Sequence, residues 1–325
     1  MYSGQGSQYY GMGQALFQSN AIFHSWMKRL NDKVIDLIGE SVLERLYAPG
    51  KKYGDLFDRT LYTHISIFMV ECAATELLMY HGLYPKAVVG SSLGEFAAAV
   101  AAGVWDMDTA LQAVIKQAQL LESRCSEGGM LAVLSDISLY ESSPILYENC
   151  DLVSVNGPAH YIVSGSMAGI AKAESFLKTQ GAAALRLPVL QGFHSPLMDP
   201  AAEEYRAFLL RYPMRQPAIT YVSSLYGAPV DRLEGDYFWQ IIRKPIRLTE
   251  ALSDLREQEG GAVYFDLGPF GTMANMLKKL VPPPDQQVIL PLITPFHQEL
   301  RVLENILGAY ANPAQPLSRL STFTT

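Results

Sequence analysis

The β-branched run Ala87-Val88-Val89 turns through Gly90-Ser91-Ser92-Leu93-Gly94 into the Ala-rich stretch 96–102. The first part reads as the end of a buried strand and the last as a helix. Strand, sharp turn and helix in that order, with G-x-S-x-G at the turn, make a nucleophile elbow. Such a turn has no room for side chains at its flanks, hence Gly90 and Gly94. The Ser92 hydroxyl between them is pushed up at the C-terminal edge of the sheet. The helix behind it aims free N–H groups at whatever negative charge develops there.

At 325 residues and 49% hydrophobic, the chain is long enough for one large domain or two smaller ones around an ample core. No apolar run reaches the length of a membrane span. The start, Met1-Tyr2-Ser3-Gly4-Gln5-Gly6, lacks the basic region and apolar stretch of a signal peptide. A net charge of −7 without a basic cluster argues against a nucleic-acid partner and is ordinary for a cytoplasmic enzyme. Cys72, Cys125 and Cys150 are far apart and odd in number. They fit a reducing compartment, have no metal-ligand spacing, and read as small buried hydrophobes.

Along the chain, Gly4-Gln5-Gly6-Ser7-Gln8 forms a glycine-punctuated loop able to present N–H groups to an anion. Few residues precede it, so any strand leading into it is cut short or minimal. Residues 23–38, 41–47, 63–80 and 106–123 show helical patterns, the last with Asp106 or Asp108 as cap. The pattern then changes to short strands at 130–134, 152–155 and 161–164, a helix at 168–179 and a strand at 182–190. This order suggests a small α+β unit over 124–193, built on a split βαβ motif. Longer elements resume from Ser195: helices at 199–210, 237–243, 248–258 and 272–280, with strands at 219–223, 263–267 and 287–290. The tail 312–325, with Pro313 and Pro316, reads as a loosely packed terminus or linker.

A serine hydroxyl is a poor nucleophile at neutral pH and needs a base. His24, His81, His160 and His297 sit in ordinary helix, loop or strand surroundings. His194 lies in Gln191-Gly192-Phe193-His194-Ser195-Pro196-Leu197-Met198, where the small unit hands back to the main body. Loops at such junctions line clefts.

The Gly4–Gln8 loop, Gly90-Ser91-Ser92-Leu93-Gly94-Glu95, Asn156 in Val-Asn-Gly-Pro, Phe193-His194-Ser195-Pro196-Leu197-Met198 and Gly268-Pro269 occur in a telling order and spacing. In them the chain resembles the malonyl-CoA:acyl carrier protein transacylases and the acyltransferase domains of polyketide synthases, from Ser3 to about Pro291. The resemblance implies an α/β-hydrolase-like large subdomain, residues 1–123 and 194–311. A ferredoxin-like small subdomain, 124–193, is inserted in it. It also implies a Ser–His dyad in which Ser92 is acylated and His194 moves the proton. The imidazole is then held by a backbone carbonyl from the segment around Arg247. The oxyanion is bound by the N–H groups of Gln5 and Leu93, each worth about 3 kcal/mol of barrier.

Three positions depart from the family pattern. The helix after the elbow usually carries an Arg that pairs with the malonate carboxylate; here Gln117 stands at that position. A neutral amide leaves a buried carboxylate unpaired, at roughly 3–5 kcal/mol, so uncharged acyl groups are favoured. Lys116, one position away, is turned by about 100° and should face elsewhere. Ser91 replaces the usual His before the nucleophile and leaves room for a different acyl chain. His64 replaces the usual Gln near the nucleophile and lines the pocket or orients a water, with Phe193 as a further pocket residue. In this combination the chain looks like the trans-acting acyl hydrolases of polyketide assembly lines.

The sequence thus leads to an acyl hydrolase acting on the phosphopantetheine thioester of an acyl carrier protein. No metal or redox cofactor of its own, no nucleic acid and no membrane are implied. A transferase moving an acyl group to a carrier-protein thiol is the first alternative. An inactive docking module that kept the fold is the second.

Overall fold

The computed structural model describes residues 1–258, 261–281 and 288–311. Helices α1 (Gln14–Ser19), α2 (Ala21–Ile38), α3 (Val42–Leu46) and α4 (Thr60–Tyr80) precede strand β1 (Ala87–Val89), which leads through the elbow into α5 (Gly94–Ala101) and α6 (Met107–Arg124). A second group follows: β2 (Gly128–Leu134), α7 (Ser138–Glu141), α8 (Pro144–Tyr147), β3 (Asp151–Gly157), β4 (His160–Ser166), α9 (Met167–Thr179) and β5 (Ala183–Arg186). A 3-10 turn over Pro196–Ala201 leads to α10 (Ala202–Leu209), β6 (Thr220–Ser223), β7 (Ala228–Val230), α11 (Tyr237–Arg243) and α12 (Leu248–Gln258). The chain ends on β8 (Tyr264–Asp266), α13 (Thr272–Leu280), β9 (Ile289–Pro291) and α14 (Glu299–Tyr310). The expected strand at 287–290 is β9; Gln287 and the tail 312–325 lie outside the described residues.

The second group is a four-stranded antiparallel sheet in the order β3-β4-β2-β5. With its helices the chain order is β-α-β-β-α-β, the split βαβ arrangement. One face is covered by Ile170, Ala173 and Leu177 of α9, packed on Leu131, Val133, Tyr161 and Val163. Helices α7 and α8 escaped the periodicity reading because four residues are barely one turn, too short to show a 3.6-residue pattern.

The main sheet is held together by the first three residues. Strand β1 pairs in parallel with β6, and β6 pairs antiparallel with β7. Strand β8 pairs in parallel with β9. Between the two sets, the Tyr2 N–H donates to Val89 O at 3.0 Å and the Ser91 N–H to Tyr2 O at 2.9 Å. On the other side the Leu267 N–H donates to Met1 O at 3.0 Å, and the Met1 ammonium donates to Phe265 O at 2.8 Å. The strand expected ahead of the Gly4 loop falls on residues 1–3, between β1 and β8.

Behind the sheet, α4 has 17 of its 21 residues buried and packs against α2, α5 and α6. It is long and apolar enough to cross a membrane, where the sequence suggested no such run. Burial inside the fold, at 89% of its most apolar window, accounts for that composition. It begins at Thr60, earlier than the expected 63, because polar Thr60 and Thr63 carry the first turn. Asp106 is the cap of α6, its carboxylate accepting from the Thr109 N–H at 2.7 Å.

Glycine is required at the elbow for a steric reason. A Cβ on Gly94 would lie 2.5 Å from Tyr2 O and 2.7 Å from Ser3 O; one on Gly90 would overlap the Gly94 and Glu95 backbone. Gly94→Ala is expected to cost about 3 kcal/mol in urea unfolding, since backbone on both sides must move. Gly308→Ala, with open space at an exposed position in α14, should instead stabilise by about 0.5–1 kcal/mol. Equal effects at the two sites would contradict the packing described.

Candidate active site

Ser92 sits at the tip of the elbow with φ 51°, a left-handed conformation that an L residue adopts only when held there. The holding contacts are those of Gly90 and Gly94, together with Gly4, where a Cβ would come 3.1 Å from the Ser92 Cβ. Ser92 Oγ lies 3.0 Å from His194 Nε2, and both residues are buried. The sequence placed them 102 positions apart; the fold makes them a hydrogen-bonded pair.

His194 also has a positive φ, 61°, and is clamped at two points to the end of α11. Its backbone N–H donates to Ile242 O at 2.8 Å, and its Nδ1 lies 2.8 Å from Lys244 O. This corrects the expectation of Arg247. The Arg247 N–H donates to Ser224 O, its side chain pairs with Glu250, and the residue immediately precedes α12. The physical reason lies in Pro245. A residue before proline is driven out of the helical region, and Lys244 is extended at φ −96°, ψ 157°. Its carbonyl therefore turns out of the helix toward the imidazole. A carbonyl can only accept, so Nδ1 carries the proton and Nε2 presents its lone pair to Ser92. Burial pushes the His194 pKa down to about 4, partly offset by the Lys244 carbonyl. The ring is thus neutral at physiological pH, as a base must be.

The N-terminal loop is stapled against the elbow. Gln8 Nε2 donates to Phe57 O at 3.1 Å and Pro188 O at 2.7 Å, while its Oε1 accepts from the Gly6 N–H at 2.7 Å. The Ser7 hydroxyl donates to Gly4 O at 2.7 Å. Gln5 is held between them, its Nε2 donating to Thr63 Oγ1 at 2.6 Å. Leu93 follows the nucleophile directly and starts the turn into α5. Among the described residues, neither the Gln5 nor the Leu93 backbone N–H has a partner within the chain. Two such N–H groups beside a hydroxyl nucleophile can receive an oxyanion.

Of the remaining expected residues, His64, Phe193 and Gln117 meet, with Phe193 directly ahead of His194. His64 is buried in α4 and stacks on Phe193, ring centroids 5.6 Å apart. Burial depresses its pKa to about 4, opposed by Gln117 and by the Thr60 backbone. Gln117 is buried in α6, its Nε2 donating to the Tyr205 hydroxyl at 3.3 Å; that hydroxyl donates to Ala113 O at 3.1 Å. Lys116 faces away, its Nζ 2.7 Å from Glu204 at the surface, as the helical rotation required. Ser91 turns its backbone into the fold, its carbonyl lying against Gly4. Three polar atoms of this wall, Gln5 Oε1, His64 Nδ1 and Gln117 Oε1, are buried without a hydrogen-bond partner in the chain. Among the described residues, no group of three His, Cys, Asp or Glu side chains is placed to hold a metal ion.

Family comparison becomes informative with this geometry in place. The sequence model described as the acyl transferase domain matches residues 1–311. The chain belongs to that family. It is 41% identical over 313 residues to the polyketide biosynthesis acyltransferase homolog BaeD of Bacillus velezensis, covering 96% of both chains. It is 39% identical to PksD of Bacillus subtilis, covering 98% of both. The acyltransferase domain from the second module of the salinomycin polyketide synthase superposes with a TM-score of 0.82, at 27% identity over 97% of this chain and 73% of that one. MCAT of Streptococcus pneumoniae, 23% identical with a TM-score of 0.76 over 95% of this chain and 98% of that one, shares the fold. Membership supports an acyltransferase-family role in polyketide biosynthesis, on acyl thioesters and alongside acyl carrier proteins. The two-subdomain α/β fold expected from the sequence is that of these acyltransferase domains.

Sequence reasoning gave no role to the buried acid beside the elbow. Glu95, next to Gly94, accepts from the Ser224 N–H and hydroxyl at 2.7 Å each, and from Tyr221 and Tyr237. It ties the start of α5 to the end of β6. A Glu inside an otherwise Ala- and Phe-rich helix was the available sign. Burial raises its pKa to about 7, against the opposing hydrogen bonds. An unfolded chain releases this proton near 4.5 while the folded one keeps it, so stability falls as pH rises from about 4.5 to 7. Glu95→Gln keeps the shape without the charge. Relative to the parent, its urea-unfolding free energy should improve by roughly 2–3 kcal/mol between pH 5 and pH 8. A pH-independent difference would contradict the assignment.

Proposed function

We propose that the chain is an acyl hydrolase that removes stalled or misloaded acyl groups from acyl carrier proteins in polyketide biosynthesis. The observation that carries this reading is the Ser92–His194 pair beside the neutral Gln117–Tyr205 wall. Ser92 Oγ attacks the thioester carbonyl and its proton passes to His194 Nε2. The tetrahedral oxyanion is held by the Gln5 and Leu93 N–H groups. Collapse breaks the C–S bond, and the departing phosphopantetheine sulfur takes the proton from His194. Water then attacks the acyl-Ser92 ester, giving its proton to His194. The second collapse returns that proton to Ser92 Oγ and releases the free acid. The partner-free polar atoms of Gln5, His64 and Gln117 support a pocket that retains water. The phosphopantetheine arrives on the carrier, which docks near the cleft between 1–123 with 194–311 and 124–193. The enzyme needs no cofactor of its own and works in the cytoplasm.

A transferase reading keeps the same acyl-enzyme and replaces water by a carrier-protein thiol; the relatives named acyltransferase homologs favour it. Intact-protein mass spectrometry distinguishes the two. Acetyl, longer neutral acyl and malonyl carriers are incubated with the enzyme alone. Loss of neutral groups to holo carrier, with malonyl spared, is the expected result. Stable acyl carriers, with transfer only on adding a second holo carrier, would make the enzyme a transferase. Ser92→Ala should abolish the covalent adduct and turnover together. Gln117→Arg should raise acylation by malonyl donors at least tenfold, because about 1.4 kcal/mol of recovered charge pairing suffices for that. Since the His194 pKa lies near 4, kcat/KM should stay flat from pH 8 down to about pH 5.5. A midpoint near 6.5 would mean that the ring is solvated during turnover.

A further inference from the structure

A continuous run of contacts joins one member of the dyad to the other. Gly4 packs on Ser92, Gln5 follows it and bonds to Thr63, and His64 comes next on α4. His64 meets Gln117 and stacks on Phe193, which directly precedes His194. The three polar atoms buried in this run without a partner in the chain are Gln5 Oε1, His64 Nδ1 and Gln117 Oε1. Two of them are amide carbonyl oxygens, and their orientation follows from what surrounds each amide.

The Tyr205 hydroxyl spends its hydrogen on Ala113 O at 3.1 Å, so its oxygen is left to accept from Gln117 at 3.3 Å. Gln117 therefore turns its NH2 toward Tyr205 and leaves its carbonyl oxygen open. The Thr63 hydroxyl spends its hydrogen on the Arg59 and Thr60 carbonyls, at 3.1 and 3.2 Å. Its oxygen accepts from the Gln5 NH2 at 2.6 Å, which again leaves the carbonyl oxygen open. The ring between the two amides cannot serve all its neighbours. Burial keeps His64 neutral, with a single N–H to offer. Gln117 and the Thr60 backbone oppose burial by favouring the protonated ring, so both face it with an acceptor. What this wall lacks is a donor, and a buried acceptor left without one is destabilising.

We propose that the acyl group selected by this site is short and carries a hydroxyl on its second or third carbon, which donates its hydrogen to the open carbonyl oxygen of Gln117. Water supplies the same donor to the empty pocket. An unsubstituted chain displaces that water without replacing its hydrogen bond, whereas a hydroxyacyl chain replaces it. The proposal rests on the reading of Ser92 as an acyl-enzyme nucleophile, and it holds whether water or a thiol ends the cycle.

Carrier proteins loaded with butyryl, 2-hydroxybutyryl, 3-hydroxybutyryl (both hands of each) and 3-oxobutyryl groups are mixed with the full chain in single turnover. Intact-protein mass spectrometry reads the rate of Ser92 acylation and, separately, the release of free acid. At least one hydroxyacyl group should acylate Ser92 about tenfold faster than butyryl, or more. The 3-oxobutyryl group, which brings an acceptor in place of the donor, should be slower than butyryl. In Gln117→Leu the hydroxyacyl preference should fall to within about twofold. Because that preference is a ratio within one variant, it does not depend on how much of the protein is folded. Equal rates for hydroxyacyl and butyryl groups overturn the proposal, as does a 3-oxobutyryl group that matches the hydroxyacyl ones or a preference that survives Gln117→Leu. No adduct from any carrier overturns the acyl-enzyme reading and the proposal with it. A hydroxyacyl preference without release of free acid supports the proposal and overturns hydrolysis alone.

Discussion

The close approach of residues 2–4 to the elbow is the constraint on which the rest of the site depends. Tyr2 bonds to both sides of Gly90, Gly94 has no Cβ because the Tyr2 carbonyl is there, and Gly4 lies against Ser91 and Ser92. Met1 and Tyr2 also join two pieces of sheet into one. Because they do both, the loop carrying Gln5 is fixed relative to the nucleophile by main-chain bonds rather than by a mobile side chain. The strained φ of Ser92 is sustained by that contact, with Glu95 locking the following helix to β6. Strain of this kind persists only where the surroundings over-determine it.

Around the dyad the electrostatics are those of a neutral site. His194 and His64 are both driven to the uncharged form by burial. The nearest cation on the Gln117 helix, Lys116, is spent on Glu204 at the surface. The wall offers amides, a phenol and a neutral imidazole, none of them positively charged at neutral pH. The wall is nonetheless polar, built from the first turns of α4, the middle of α6 and Tyr205 of α10.

Much of this was legible in the sequence where local geometry demands particular residues. The elbow needs its glycines, so strand, turn and helix could be read at 87–102. Lys116 and Gln117 differ by one helical step, so their opposite facing could be reasoned before it was seen. The pairing of Ser92 with His194 needed family resemblance, since nothing local links positions 102 residues apart. What escaped reading was main-chain placement. The carbonyl on His194 was expected near Arg247 and belongs to Lys244, although Lys-Pro after a helix was there to read. Glu95 escaped because its partners, Ser224, Tyr221 and Tyr237, come from distant strands and helices that only tertiary structure assembles. Helices α7 and α8 were too short to leave a periodic trace.

The orientation of His194 by the Lys244 carbonyl has a consequence for how this enzyme can vary. Under the proposed mechanism, three of the five groups that touch the reacting atoms or the base are peptide units: the N–H groups of Gln5 and Leu93 and the carbonyl of Lys244. Peptide units are present whatever side chain the codon specifies. An alanine scan would therefore remove the reacting groups of Ser92 and His194 but leave the other three in place, while Pro245, which touches nothing in the reaction, bears on where the Lys244 carbonyl points. The machinery is preserved by backbone shape, and sequence comparison alone will understate how much of the site two distant relatives share.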